Sequence, residues 1–167
     1  SFVLSSKVGR LLIPDPDEPG TWPEDGLVKM TARFDMSRDG ILQALEESLA
    51  RHKLGHVDIV YLHDPDWEDL EDEAIATALP ALVELREQGV VKAIGVGMNQ
   101  WQMPARLMQH FHLDIVLLAR PFGIRSIFAH VRGQGHAHCT RWALQLRHSR
   151  SAKPGWPSMV QLPASGA

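Results

Sequence analysis

The chain has 167 residues, 44% of them hydrophobic and 22% charged, with one cysteine and a net charge of −3. These values exclude wholesale disorder, a collagenous repeat and a disulfide scaffold, and the length suits about one domain with a buried core. No apolar run reaches the about 18 residues of a membrane span, and no charged-then-apolar leader opens the sequence, so the expectation is a cytoplasmic protein with no membrane partner.

Charge divides the chain. All 20 acidic residues lie at or before Asp114, so residues 1–114 carry −10 while residues 115–167 carry +7. Two regions of different kind are expected: an organised part over 1–119 and an irregular basic tail over 120–167.

In chain order, residues 2–4 read as a short strand closed by Lys7. Residues 8–36 make too long a link for a strand-to-helix loop; Pro14, Pro16, Pro19 and Pro23 keep its first half irregular, and residues 27–34 alternate enough for a short strand or hairpin arm. Ser37 stands where a helix cap is wanted, ahead of Ile41, Leu42, Leu45 and Leu49 at helical spacing, and Gly55 sits at the expected end. Residues 57–62, 91–96 and 113–118 are apolar, β-branched and not strictly alternating, as parallel strands covered on both faces are. Between them, Ile75, Leu79, Leu82 and Val83 mark a second helix that stops at Gly89, and a third spans 102–110. Pro80 predicts either a kink in that second helix or a restart with Pro80 in the first turn.

Strands alternating with helices require right-handed crossovers, which an open doubly wound sheet or a (β/α)8 barrel satisfies. Four strands cannot close an eight-stranded barrel, so the barrel alternative is an α/β partial TIM (β/α)8 barrel of about four βα units. Ligands in either architecture bind at the carboxyl ends of strands. That rule selects Lys7, His63 in Tyr61-Leu-His-Asp-Pro-Asp66, and Asn99 in Gly95-Val-Gly-Met-Asn-Gln100. A lysine, a histidine and an amide on one rim could hold a carbonyl and a cofactor; singly, each also suits a solvated lysine, a structural histidine or a turn-forming Asn.

Ser5-Ser-Lys-Val-Gly-Arg10, Phe34-Asp-Met-Ser37, Val57-Asp-Ile-Val-Tyr-Leu-His-Asp-Pro-Asp66, Leu85-Arg-Glu-Gln-Gly-Val-Val-Lys-Ala-Ile-Gly-Val-Gly-Met-Asn99 and Leu113-Asp-Ile-Val-Leu-Leu-Ala119 together resemble an aldo-keto reductase, more narrowly its aldose (L-fucose or D-threo-aldose) and pyridoxal dehydrogenase branch. The resemblance implies strands three to six of a TIM barrel that binds NAD or NADP without a Rossmann glycine loop, and no G-x-G-x-x-G occurs here. It further implies hydride transfer between the nicotinamide and the C1 hydroxyl or carbonyl of an aldose or similar alcohol or aldehyde, by a tetrad of Asp, Tyr, Lys and His. Lys7 matches the lysine and His63 the histidine; the Asp and Tyr would precede Ser1, and Tyr61 does not occupy the catalytic tyrosine's place. The 167-residue chain alone is therefore expected not to turn over substrate. Asn99 resembles the amide that contacts the nicotinamide carboxamide, with the Met98 or Gly97 backbone sharing that role.

Two other functions suit parts of the chain. The carboxylates after His63, from Asp64 to Glu73, invite a metal-dependent barrel hydrolase, yet acids also suit the first turn of the helix that follows. His136-Ala-His-Cys139 lacks paired zinc ligands at suitable spacing, so no metal is expected. The basic tail could serve as a nucleic-acid-binding module, but its seven Lys and Arg are diluted among Trp and Pro. A translation in a shifted reading frame from near residue 120 is the preferred account, and nucleic acid is not the expected partner. A partial sheet would also expose its edges, which predicts poor solubility.

Overall fold

The computed structural model describes residues 2–15, 30–67, 69–118 and 139–144. Five strands, β1 (Ser5–Val8), β4 (Ile59–His63), β5 (Ala93–Met98), β6 (Leu113–Leu118) and β7 (Cys139–Leu144), form one parallel sheet in that spatial order. The connections between them carry α1 (Arg38–His52), the short α2 (Glu71–Glu73) with α3 (Leu79–Glu87), and α4 (Gln102–Leu107). An antiparallel ribbon of β2 (Arg10–Pro14) and β3 (Met30–Phe34) branches off between β1 and α1. This is a partial (β/α) barrel with one parallel strand more than the four read from the sequence. The extra strand, β7, falls in the segment read as an irregular tail; the rest of 119–167, including His136 and the boundary at 119/120, lies outside the described residues.

One face of the sheet packs on the helices. Val60, Leu62, Ile94, Val96, Val116 and Leu118 alternate onto that face, each 0–1% exposed, against Ile41, Leu45, Leu79, Leu82 and Leu107. Ser6 points the same way and shares a 2.7 Å hydrogen bond with Ser48 of α1. Burial of this kind, about 1.5–3 kcal/mol for each large side chain, orients the strands and hence the rim they end on.

Several boundaries differ from those read in the sequence, each for a physical reason. The first strand runs over Ser5–Val8 instead of residues 2–4: the Leu4 carbonyl accepts from the N–H groups of Asp58 and Ile59, so pairing begins only beyond it, and Phe2 and Val3 stay exposed. Partner geometry overrides the apolar signal there. The expected hairpin arm is β3, and its partner is Arg10–Pro14, so Pro14 ends a strand at its edge. Ser37 Oγ accepts from Gly40 N–H at 3.0 Å and caps α1 as expected, but α1 ends at Lys53, φ 53°, before Gly55 is reached. Gly89, φ 73°, does follow α3.

At Pro80 the second alternative holds: a helix restarts with the proline in its first turn, preceded by a feature the sequence did not announce. Ala74–Ala78 form a π-helical turn, closed by Leu79 N–H donating to the Ala74 carbonyl, and α3 starts with Pro80 in its first turn. Widening the helix ahead of the proline relieves the clash its ring would otherwise make one turn back. Thr77 Oγ1 then donates to the Glu73 carbonyl at 2.8 Å and to the Met36 carbonyl at 2.6 Å.

Candidate active site

The face of the sheet away from the helices carries the candidate residues. Lys7 pairs in register with Tyr61, Tyr61 with Gly95 and His63 with Gly97, so these five positions share one face. Lys7 and His63 stand toward the carboxyl ends of neighbouring strands, with Lys7 exposed and His63 half-buried. A Cβ built on Gly97 would lie 3.5 Å from Lys7 Cε and 3.7 Å from Tyr61 Cβ, so the lysine stem crosses β4 towards β5. Gly95 and Gly97 leave the floor of this strip without side chains. At Gly95 the restriction is severe, since a Cβ would meet the Ile115 carbonyl oxygen at 1.9 Å.

Asn99 is exposed directly beyond β5. Met98 turns its side chain into the helix-side core at 2% exposure, so only its backbone faces the rim. The Gly97 carbonyl accepts from Asp64 N–H at 2.9 Å. Tyr61, the chain's one tyrosine, is 5% exposed, and burial pushes its phenol up to about 12.

The loop after β4 is tied down by residues whose roles were not read from the sequence. Asp64 adopts a left-handed backbone, φ 43°, and its Oδ2 accepts from Arg10 Nη2 at 2.9 Å while lying 3.5 Å from His63 Nδ1. The guanidinium sits 4.4 Å from the centroid of the Phe34 ring, its register partner across the ribbon, and Phe34 stacks on Trp67 at 6.2 Å and 14°. Arg10 lies in the quoted motif ending at that residue, but its contact depends on ribbon pairing, which has no short-range sequence signal.

The acidic run serves other ends. Glu71, Asp72 and Glu73 occupy the first turn of α2, and the Arg106 guanidinium hydrogen-bonded to Glu71 holds that carboxyl below its ordinary range. Burial pushes the Asp66 carboxyl up. Among the described residues no three His, Cys, Asp or Glu gather to hold a metal ion, and no helix is long and apolar enough to cross a membrane.

Residues 1–126 match the sequence profile described as the aldo/keto reductase family. The chain is 37% identical over 127 residues to a D-threo-aldose 1-dehydrogenase of Pseudomonas sp., covering 71% of this chain and 37% of that protein. It is 30% identical over 141 residues to a pyridoxal 4-dehydrogenase of Microbacterium luteolum, covering 73% of this chain and 41% of the relative. The chain thus spans about two fifths of the length of these relatives. Among solved structures, an aldo-keto reductase of Bacillus halodurans in its holo form superposes with a TM-score of 0.56 at 19% identity, over 85% of this chain and 42% of the other. A glycerol dehydrogenase of Gluconobacter oxydans gives 0.56 at 16%, over 85% and 39%. The shared fold is therefore the TIM barrel, and by the match over residues 1–126 the chain belongs to the aldo-keto reductase family.

Proposed function

We propose that this chain carries the lysine and histidine half of an NAD(P)-dependent oxidoreductase site that acts on the C1 hydroxyl or carbonyl of an aldose or a similar small alcohol or aldehyde. The observation that carries this reading is the placement of Lys7 and His63 on one face, toward the carboxyl ends of adjacent strands, in a chain of this family. The aldose and pyridoxal dehydrogenases it is similar to favour the substrate class and a nicotinamide cofactor, NAD or NADP.

A nicotinamide fits the residues present. The strand face at Gly95 and Gly97 carries no side chain of its own, and exposed Asn99, with the Met98 or Gly97 backbone, offers amide contacts where β5 ends. When bound, the cofactor supplies hydride exchange with the carbonyl carbon. His63 positions the substrate oxygen by a hydrogen bond, and Lys7 places a positive charge beside the group that exchanges its proton. That group is not Tyr61: a phenol near 12 and buried is poorly matched to proton exchange near neutral pH. Tyr61 is therefore not assigned the role of general acid or base.

Assay of NAD(P)H formation from L-fucose or a related aldose tests this. The purified 167-residue chain is expected to show no turnover above its Lys7→Met variant; measurable turnover overturns the half-site reading. In a longer polypeptide that supplies a tyrosine and an aspartate, His63→Ala should lower turnover about 10²–10³-fold, the usual effect of deleting one polarising donor. Unchanged turnover there removes His63 from the site.

A further inference from the structure

We propose that Arg10 is a positioning residue that sequesters the Asp64 carboxylate and so keeps the Lys7 ammonium from being captured by it. The inference rests on the role given to Lys7 above, but its geometry depends on neither turnover nor a bound cofactor. Lys7 and Asp64 border the same residue: a Cβ on Gly97 would lie 3.5 Å from Lys7 Cε, and the Gly97 carbonyl accepts from Asp64 N–H at 2.9 Å. An ammonium on a flexible stem and a carboxylate so placed attract each other. Yet among the described residues Lys7 makes no ion pair, and Asp64 Oδ2 instead accepts from Arg10 Nη2 at 2.9 Å.

The ribbon gives Arg10 the advantage. Gly9, φ 97°, turns the chain out of β1, and Asp35 N–H donates to the Gly9 carbonyl at 3.1 Å, which closes the base of the ribbon where Arg10 and Phe34 are register partners. The Arg10 guanidinium lies 4.4 Å from the Phe34 ring centroid, and Phe34 stacks on Trp67 of the loop after β4. A guanidinium already held on an aromatic face loses less freedom on forming an ion pair than a lysine stem does, and it keeps its charge at every working pH. Asp64 is held to receive it: its backbone is left-handed, φ 43°, and its carbonyl accepts from Trp67 N–H at 3.1 Å. The same carboxylate oxygen lies 3.5 Å from His63 Nδ1, so Arg10 is the closer partner. A Lys7 ammonium neutralised by Asp64 would no longer favour the anionic form of a neighbouring proton-exchanging group, and the Arg10–Asp64 pair removes that competitor.

Limited acetylation of the full chain, read by peptide mass spectrometry, tests this, because pairing protects an amine from acylation. Lys53, exposed and in no ion pair among the described residues, is the internal reference. In Arg10→Met the Lys7 rate relative to Lys53 should fall about two- to fivefold, the effect of gaining one exposed ion pair. In the double variant Arg10→Met with Asp64→Asn it should return to the wild-type value, which a merely structural role of Arg10 would not produce, and Asp64→Asn alone should not lower it. If helical circular dichroism shows Arg10→Met to be unfolded, Arg10→Gln carries the same test. An unchanged Lys7 rate in the folded single variant, a fall that persists in the double variant, or a fall in Asp64→Asn alone overturns the proposal. Because labelling is read without turnover, its failure is distinct from a failure of His63→Ala to lower activity.

Discussion

The two ends of the sheet use the same side-chain chemistry to opposite effect. At the amino ends, Asp58 and Asp114 occupy equivalent places in Val57-Asp-Ile-Val60 and Leu113-Asp-Ile-Val116, and each turns its Oδ2 onto a backbone N–H of the neighbouring segment, Leu4 and Ile94 respectively, at 2.9 Å. Lys92 and Arg86 pair with these carboxylates at 2.7 and 2.8 Å. At the carboxyl ends, Lys7 and Asn99 are exposed and His63 is half-buried. Polar groups at the amino end are consumed in joining strands, whereas Lys7 and Asn99 at the carboxyl end are exposed. This separation is why a βα framework can carry chemistry at one rim without putting its stability there.

The comparison predicts that damage to the strand-joining apparatus is structural and damage at the rim is chemical. The largest effect belongs to Gly95→Ala. Its Cβ would stand 1.9 Å from the Ile115 carbonyl oxygen, a backbone atom that cannot step aside without opening β5 from β6. We expect a loss of more than about 3 kcal/mol, beyond ordinary overpacking, read as a collapse of the thermal transition. A cooperative transition near the wild-type midpoint would contradict the strand geometry. Next comes Asp114→Ala, which leaves the N–H of fully buried Ile94 without its acceptor and should cost about 1–3 kcal/mol in urea denaturation.

A third effect is pH-dependent. The hydrogen bond from Lys92, then the Leu4 N–H, holds the Asp58 carboxyl below its usual 3.8. The unfolded chain therefore takes up this proton first as pH falls. The stabilisation is complete above about pH 4 and is lost as pH drops through the folded-state value, since stability rises with pH wherever the unfolded state binds more protons. Below pH 4 the denaturation midpoint of the wild type should fall more steeply than that of Asp58→Asn. Parallel curves would assign the acid sensitivity elsewhere.

The legibility of the molecule follows the range of the forces involved. Periodicity and capping are local, so α1, its Ser37 cap, and the strand over Leu113–Leu118 could be read directly, and the carboxyl-end rule then picked out Lys7 and His63. Pairing is not local. β1 contains Ser5, Ser6 and Lys7 because its partner strand dictates where pairing starts, and no apolar pattern announces that. The Arg10–Asp64 contact joins residues 54 positions apart and depends on ribbon register, so the contacts around Asp64 have no sequence signal, although Arg10, Phe34 and Asp64 all stand in the family-like motifs and only Trp67 lies outside them. At Met98 the expected strand of 91–96 runs two residues further, and alternation along β5 sends its side chain to the core, leaving only its backbone toward the rim.

The smallest effect on stability should come from Gly97→Ala, and it is the sharpest probe of the rim. An added Cβ meets Lys7 Cε at 3.5 Å, Leu117 Cδ2 at 3.6 Å and Tyr61 Cβ at 3.7 Å, all ordinary contacts, and the backbone there has no left-handed φ. Folding stability should thus stay within about 1 kcal/mol of wild type, with the reduced freedom of the unfolded chain acting in the mutant's favour. The methyl nevertheless stands beneath Lys7, on the strand face beside which we place the nicotinamide. A loss of about tenfold in NAD(P) affinity, equivalent to about 1.4 kcal/mol, is expected by titration of intrinsic tryptophan fluorescence. Gly95 and Gly97 lie on one strand face, yet one substitution should abolish the fold while leaving nothing to titrate and the other should spare the fold and weaken the ligand. Equal behaviour of the two variants would mean that the rim is as structural as the strand contacts beneath it.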